Sequence, residues 1–270
     1  MNHRLALSMY LGLGIIASVV ACDADETRRD AISIESATQA NGKPTKKEGA
    51  TMANDSAWTW GYFFAAPDKA SVQGLAGERK QSLSLYRVDK VVAVRGKPGV
   101  ELAAGATLVR VETAAKLPPL GAGAKASLLF QGVPQHLQYT TKAQRDDLTK
   151  RSRADLPASK DTVAVIIPIR KTATWWALPV DERMAHFQKS AARIGHTAIG
   201  ADYVEKIYRK LYHTRYAVEN KDHDFITYFE FERKHEQAFK DLVAKLRDPQ
   251  QNPEGNFVDH EYEIWMTKVE

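Results

Sequence analysis

Residues 163–269 alternate between strand and helix patterns, and this alternation restricts the fold more than any other feature of the chain. Residues 163–169 are rich in β-branched side chains, which is typical of a buried strand. Residues 235–246 place their apolar side chains on one helical face. The predicted elements are a strand at 163–169, a helix from Pro179 to around Tyr203, strands at 207–213 and 224–231, a helix at 235–246 and a strand at 257–269. This order predicts a ferredoxin-like βαββαβ unit over residues 161–270.

The preceding residues, 57–160, give a weaker version of the same pattern. Residues 83–88 and 107–111 alternate like strands, residues 126–130 are a third candidate, and residues 144–151 have the composition of an exposed helix. We therefore expect residues 57–160 to form a degenerate copy of the second ferredoxin-like half.

The N-terminus has the pattern of an export signal. A short apolar run follows Arg4 and ends at Cys22, and it is too short to span a bilayer comfortably. Cys22 is the only cysteine, so disulfides within the chain are excluded. We predict a lipoprotein signal peptide over 1–22, a lipidated Cys22, a flexible polar tether over 23–56 and an anchor on the periplasmic side of a bacterial membrane. An ordinary secretory signal that contains a cysteine near its cleavage site is the alternative.

Composition and short motifs exclude several classes of function. The net charge is +5, with Lys and Arg scattered among acids, so no nucleic-acid partner is predicted. No zinc-ligand spacing, phosphate-binding glycine loop or nucleophile elbow is present. Eight histidines occur, so the presence of a histidine near a helix end carries little weight by itself.

Longer motifs in the second half are more specific. Residues 168–176 with 181–183, residues 208–213 and residues 224–230 together resemble the chlorite dismutase family. The resemblance covers about 163–269, while residues 57–162 match loosely, mainly through residues 131–133 and Tyr139. It implies an α+β fold of two ferredoxin-like βαββαβ halves, of the dimeric α+β barrel type, with haem b in the C-terminal half.

The resemblance also implies an iron ligand. In that family the proximal histidine lies 13 residues before the distal arginine, and counting back from Arg209 gives His196. A straight helix would separate these residues by about 20 Å, so the chain is predicted to turn near residues 201–204. His186 and His213 are the alternative ligands.

Further site residues follow from the same resemblance. A carboxylate is expected to accept from the second imidazole nitrogen of His196, and Glu254 fits the family pattern best, with Gln251 as the alternative. Tyr139, Lys171, Trp175 and Trp176 are expected to line the haem, and Lys171 and Tyr139 to bind its propionates. Core packing at the start of a helix is the alternative for the two tryptophans.

The activity implied is the conversion of chlorite to chloride and dioxygen, with Arg209 holding the anionic oxygen-bearing fragment. Two alternatives stay open: a coproheme decarboxylase, whose family members carry Gln in place of this arginine, and a haem-binding lipoprotein without catalysis. The resemblance further implies a homo-oligomer, with a pentamer favoured.

Overall fold

Eight antiparallel strands close into a barrel in the order β1-β3-β2-β8-β5-β7-β6-β4. The computed structural model describes residues 60–73, 75, 81–114, 116–134, 139–218 and 222–270, all within the unit Ala53–Glu270. The predicted signal peptide, Cys22 and the predicted tether lie outside the described residues. In the described part of the chain, no helix is both long and apolar enough to cross a membrane.

The strands and helices have the following bounds. The strands are β1 Trp60–Ala65, β2 Gln81–Arg95, β3 Thr107–Thr113, β4 Ser127–Pro134, β5 Thr162–Lys171, β6 Ile207–His213, β7 Phe225–Glu232 and β8 Val258–Lys268. The helices are α1 Ala70–Gln73, α2 Lys142–Arg151, α3 Ala173–Ala177, α4 Val180–Phe187, α5 His196–Ala201 and α6 Glu236–Arg247. Two short 3₁₀ turns, Arg233–His235 and Pro253–Phe257, flank α6.

The strand order repeats along the chain. The first four strands neighbour each other as β4-β1-β3-β2 and the last four as β8-β5-β7-β6, and the two sets join at β2–β8 and β4–β6. In the second set, helices fill both crossovers, between β5 and β6 and between β7 and β8. In the first set, α1 fills the crossover from β1 to β2, but the described residues between β3 and β4 contain no helix. Residues 60–151 therefore depart from the full βαββαβ order.

The single helix predicted from Pro179 to Tyr203 is wrong in its middle. Helix α4 ends at Phe187, residues 188–195 form an irregular segment, and α5 begins at His196. Gly195 adopts a φ of 80°, which side chains with a Cβ disfavour. A Cβ on Gly195 would lie 2.5 Å from the carbonyl oxygen of Gln188. Glycine at position 195 therefore favours the break between α4 and α5. The predicted turn near 201–204 is confirmed, since α5 ends at Ala201.

The core consists of layers on both sides of the barrel wall. Successive strand residues point to opposite faces, so Ile166 and Tyr228 pack inside the barrel while Val165 and Phe229 pack outside it. The outer layer of β5–β8 lies against α5 and α6. This outer face of the second half also carries the candidate site.

Candidate functional site

A cavity of about 420 Å³ lies between the outer faces of β5, β6 and β7 and the helices α3, α5 and α6. Its volume falls in the range of small-molecule and cofactor sites. Its walls are mainly apolar, and its polar members include Arg95, Lys171, His196, Arg209 and Glu254. An apolar cavity with a few converging polar groups is the expected form of a ligand site.

His196 and Glu254 form a fixed pair on one wall of this cavity. The Nδ1 atom of His196 lies 2.8 Å from Oε2 of Glu254. A carboxylate accepts, so Nδ1 carries the hydrogen and Nε2 keeps its lone pair. Asn252 donates its Nδ2 hydrogen to the same Oε2 at 3.2 Å. The side chain of Gln251 donates to Asp248 instead, at 2.7 Å, so Glu254 is the partner of His196.

The protonation states of this pair suit a metal ligand. Burial lowers the pKa of His196 and outweighs the opposing charge of Glu254, so the imidazole is neutral. Burial by itself would raise the pKa of Glu254, but the positive charge of Lys171 and the contact with His196 hold it well below its usual range. A neutral imidazole that donates to an ionised carboxylate is a more basic ligand than a free histidine.

Lys171, the last residue of β5, forms an ion pair with Glu254. Its Nζ atom also lies 4.9 Å from the centroid of the Trp175 ring. Only 4% of its side chain is exposed. The structure thus gives Lys171 a carboxylate partner inside the protein, and its contact with a haem propionate, which the resemblance implies, stays a prediction.

Arg209 lies on the outer face of β6 and lines the cavity. It makes no hydrogen bond or ion pair with any residue that the structure describes, and solvent reaches its side chain through the cavity. The surrounding protein lowers the pKa of Arg209, opposed by the charge of Glu254, but a guanidinium remains protonated in proteins. A cation with free donors therefore faces the same space as His196.

The predicted aromatic residues divide into two layers. Trp175 and Tyr139 line the cavity. Tyr139 stacks on Phe187 with ring centroids 4.5 Å apart, and burial raises its pKa, which keeps its hydroxyl neutral. Trp176 lies behind the wall: it stacks on Phe225 at 5.9 Å and donates Nε1–H to Asp224 at 3.2 Å. Trp176 is therefore a supporting residue of the wall and not part of its lining.

The two alternative histidines occupy other positions. His186 packs against Trp175 and Phe257, with centroid distances of 6.0 and 4.9 Å. His213 lies among aromatic rings that include Trp176 at 6.4 Å. Neither lines the cavity, so His196 is the histidine that faces it.

Arg95 is a site residue that the sequence did not reveal. From the end of β2 its Nη1 donates to the carbonyl oxygens of Gly255 at 2.7 Å and Val258 at 2.8 Å. These bonds hold the turn Pro253–Phe257, which carries Glu254. The contact joins residues 160 positions apart, and no local pattern marks such a pairing.

The fold and the site together define an α+β barrel with a cofactor-sized cavity, in which a histidine–carboxylate pair and a free arginine share the walls. The family model described as Chlorite dismutase matches residues 106–256, more than half of the chain. This chain belongs to the chlorite dismutase family, which is haem-dependent.

Individual relatives agree with this assignment. A chlorite dismutase from Ideonella dechloratans is 33% identical over 100 residues, which are 37% of this chain and 32% of that protein, so the match spans about a third of the relative. The crystal structure of a dimeric chlorite dismutase from Nitrobacter winogradskyi has a TM-score of 0.54 at 28% identity and covers 77% of this chain and 99% of that one. A Candidatus Nitrospira defluvii chlorite dismutase in complex with imidazole shares the fold, with a TM-score of 0.54 at 23% identity over 78% and 91% of the two chains.

Proposed function

We propose that this chain binds haem b and decomposes chlorite to chloride and dioxygen. The observation that carries the proposal is the arrangement of one cavity, in which the Nε2 lone pair of His196 and the unpartnered guanidinium of Arg209 share apolar walls. Membership of a haem-dependent family supports the same reading.

The residues present fit a haem bound against the outer face of the second half. His196 would hold the iron through Nε2, and Glu254 would make this ligand more electron-donating. Trp175 and Tyr139 would contact the macrocycle, and the buried Nε1–H of Trp175 has no partner among the described residues. Bound haem would supply the redox-active iron at which a Cl–O bond of chlorite is broken.

Arg209 would hold the anion in this cavity. Chlorite and its oxygen-bearing fragment are both acceptors, and a guanidinium donates to them through charge-assisted hydrogen bonds. Such bonds are stronger where water is excluded, and no protein carboxylate competes for the Arg209 guanidinium by hydrogen bonding within the described residues. Arg209 would therefore keep the fragment in place until the O–O bond forms.

Oxygen evolution on adding chlorite to the haem-loaded full-length protein tests this proposal. Arg209→Ala should keep the Soret band and lose turnover, whereas Arg153→Ala should change neither, because Arg153 pairs with Glu232 and does not line the cavity. Bound haem without oxygen evolution in the wild type would favour the non-catalytic alternative. Conversion of added coproheme to haem b would favour the decarboxylase.

We also propose that Cys22 is lipidated and holds the protein on the periplasmic side of a bacterial membrane, as the N-terminal pattern indicates. Loss of incorporated fatty acid in Cys22→Ala would test the anchor. A homo-oligomer is proposed as well, with a pentamer favoured from the family resemblance, although the Nitrobacter winogradskyi relative is described as dimeric. Light scattering distinguishes a dimer from a pentamer by mass.

A further inference from the structure

Three aromatic side chains at one end of the barrel form a cluster whose polar atoms lack partners. His223 precedes β7, and His260 and Tyr262 lie near the start of β8. The ring centroids are 5.5 Å apart in each of the three pairs. Nε2 of His223, Nδ1 of His260 and the hydroxyl of Tyr262 are buried and make no hydrogen bond with any residue that the structure describes. Buried polar groups are nearly always paired, so the cluster points to a missing partner.

The loop after β2 fixes the orientation of His260. Its Nε2 atom lies 2.6 Å from the carbonyl oxygen of Lys97, and a Cβ on Gly96 would lie 2.7 Å from Cδ2 of the same ring. The Nε2–Cδ2 edge therefore faces the loop, and Nδ1, the atom opposite that edge, points away from it. Because a carbonyl only accepts, Nε2 carries the hydrogen and Nδ1 keeps its lone pair.

The other two unpaired atoms meet beside Gly99. A Cβ on this residue would lie 3.5 Å from the hydroxyl oxygen of Tyr262 and 3.7 Å from Cε1 of His223. Cε1 is bonded to the unpaired Nε2, so the two polar atoms border the same space. The negative charge of Asp222 acts on both His223 and Tyr262. This space is therefore favourable to a cation.

The two imidazoles have the protonation and the spacing of metal ligands. Burial and the positive charge of His260 lower the pKa of His223 to about 4, so its ring is neutral at pH 7. A metal-bound imidazole typically donates its second nitrogen to a carboxylate or a carbonyl, as His260 does. With a metal–nitrogen distance of about 2.0–2.1 Å, the centroids of two imidazoles on a tetrahedral ion lie about 5 Å apart. The observed separation of 5.5 Å is close to this value.

We propose that His223 and His260 together bind a divalent transition-metal ion of the class that prefers imidazole, with Zn²⁺ as the probe. Imidazole nitrogens suit such ions, whereas Mg²⁺ and Ca²⁺ take oxygen ligands. No three side chains of His, Cys, Asp or Glu in the described ranges are grouped as metal ligands, so the hydroxyl of Tyr262 and water would complete the coordination. The site is independent of the proposed haem, because none of its three side chains lines the cavity.

Calorimetric titration of the full-length protein with Zn²⁺ at pH 7 tests the site. The wild type should bind one equivalent of Zn²⁺ whose affinity falls in both His223→Phe and His260→Gln. The loss should be at least about tenfold to a hundredfold, since removing even the hydrogen-bond partner of a metal ligand has an effect of this size. His223→Phe keeps an aromatic ring in the cluster, and His260→Gln keeps a donor for the carbonyl of Lys97.

A matched control and a second measurement make the result specific. His235→Phe removes a histidine outside the cluster, in the turn before α6, and should leave the affinity for Zn²⁺ unchanged. A metal that binds only the folded chain raises its thermal stability, so excess Zn²⁺ should raise the Tm of the wild type and of His235→Phe more than that of His223→Phe. Circular dichroism confirms the fold of each variant, and His223→Gln replaces His223→Phe if the latter does not fold.

Three results would overturn the site. A folded wild type that binds no Zn²⁺ would show that the unpaired atoms meet only water. Equal affinity in the wild type and in both variants would show that the ion binds elsewhere, for example at His196. A loss in only one of the two variants would show that His223 and His260 do not share one ion.

Discussion

Neutralising Glu254 should destabilise the haem-free protein because the carboxylate balances a buried charge. The side chains of Lys171 and Glu254 are 4% and 10% exposed, and Glu254 also accepts from His196. Glu254→Gln keeps the shape of the side chain but leaves the ammonium of Lys171 buried without a counter-charge. Breaking a buried ion pair from one side costs about 3–5 kcal/mol. Urea unfolding at pH 7 should show a loss of free energy of this size.

The double variant separates charge from packing. Lys171→Met removes the cation that Glu254→Gln leaves without a counter-charge. The double variant should therefore have a larger free energy of unfolding than Glu254→Gln alone, as a double-mutant cycle would measure. The matched control is the exposed pair Arg170–Asp259, whose side chains are 48% and 42% exposed. Asp259→Asn should cost only about 0–1 kcal/mol. A similarly small cost for Glu254→Gln, or no rescue by Lys171→Met, would refute this account of the pair.

Three further predictions concern the pH dependence, the Pro253–Phe257 turn and the break before α5. Burial lowers the pKa of His223 to about 4, so below about pH 6.5 the unfolded chain binds a proton that the folded chain does not bind. The free energy of unfolding should therefore fall by about 3 kcal/mol as the pH drops from 6.5 through 4. Urea unfolding measured against pH should show that His223→Phe lacks this fall. Arg95→Met leaves the carbonyl oxygens of Gly255 and Val258 without their donor and should lower the free energy of unfolding by about 2–4 kcal/mol. Arg95→Lys should recover part of this loss, because a single nitrogen makes both bonds. Equal unfolding free energies for the Met and Lys variants would contradict this prediction. Gly195→Ala should lower the free energy of unfolding by at least about 1–2 kcal/mol in a thermal or urea melt, because of the positive φ and the close carbonyl of Gln188. Gly200→Ala is the control: it lies in α5 with open space around it, so its stability should be unchanged or higher. A loss of stability in both variants would mean that this segment tolerates no added methyl group.

The elements of the second half were predictable because their side-chain patterns are local. The strand at 207–213 has the bounds of β6, and the amphipathic helix at 235–246 lies within one residue of α6. The interrupted helix was not predictable in the same way. Residues 188–194 include helix-compatible Lys, Ala and Arg, and it is the contact between Gly195 and the backbone of Gln188 that shows why the chain turns.

The site was only partly predictable. Spacing from Arg209 gave His196, and the structure places both on one cavity. The ion pair of Lys171 with Glu254 was not predicted, because a cation at the end of a strand does not indicate which carboxylate it pairs with, and Glu254 lies 83 positions further along the chain. Arg95 lies in the half of the chain with the weaker patterns, and its contact with the Pro253–Phe257 turn depends on the pairing of β2 with β8. Such a contact is a property of the closed barrel and not of any local sequence.

The most direct test of the central claim is the stoichiometry of chlorite decomposition by the haem-loaded protein. Chloride and dioxygen should each form in a one-to-one ratio with the chlorite consumed, because both oxygen atoms leave together. In Arg209→Ala, which should still bind haem through His196, the rate should fall and the Soret band should bleach sooner, since the oxygen-bearing fragment is no longer held. Consumption of chlorite without release of dioxygen by the wild type would contradict the account. So would an Arg209→Ala variant whose turnover rate and rate of Soret bleaching equal those of the wild type.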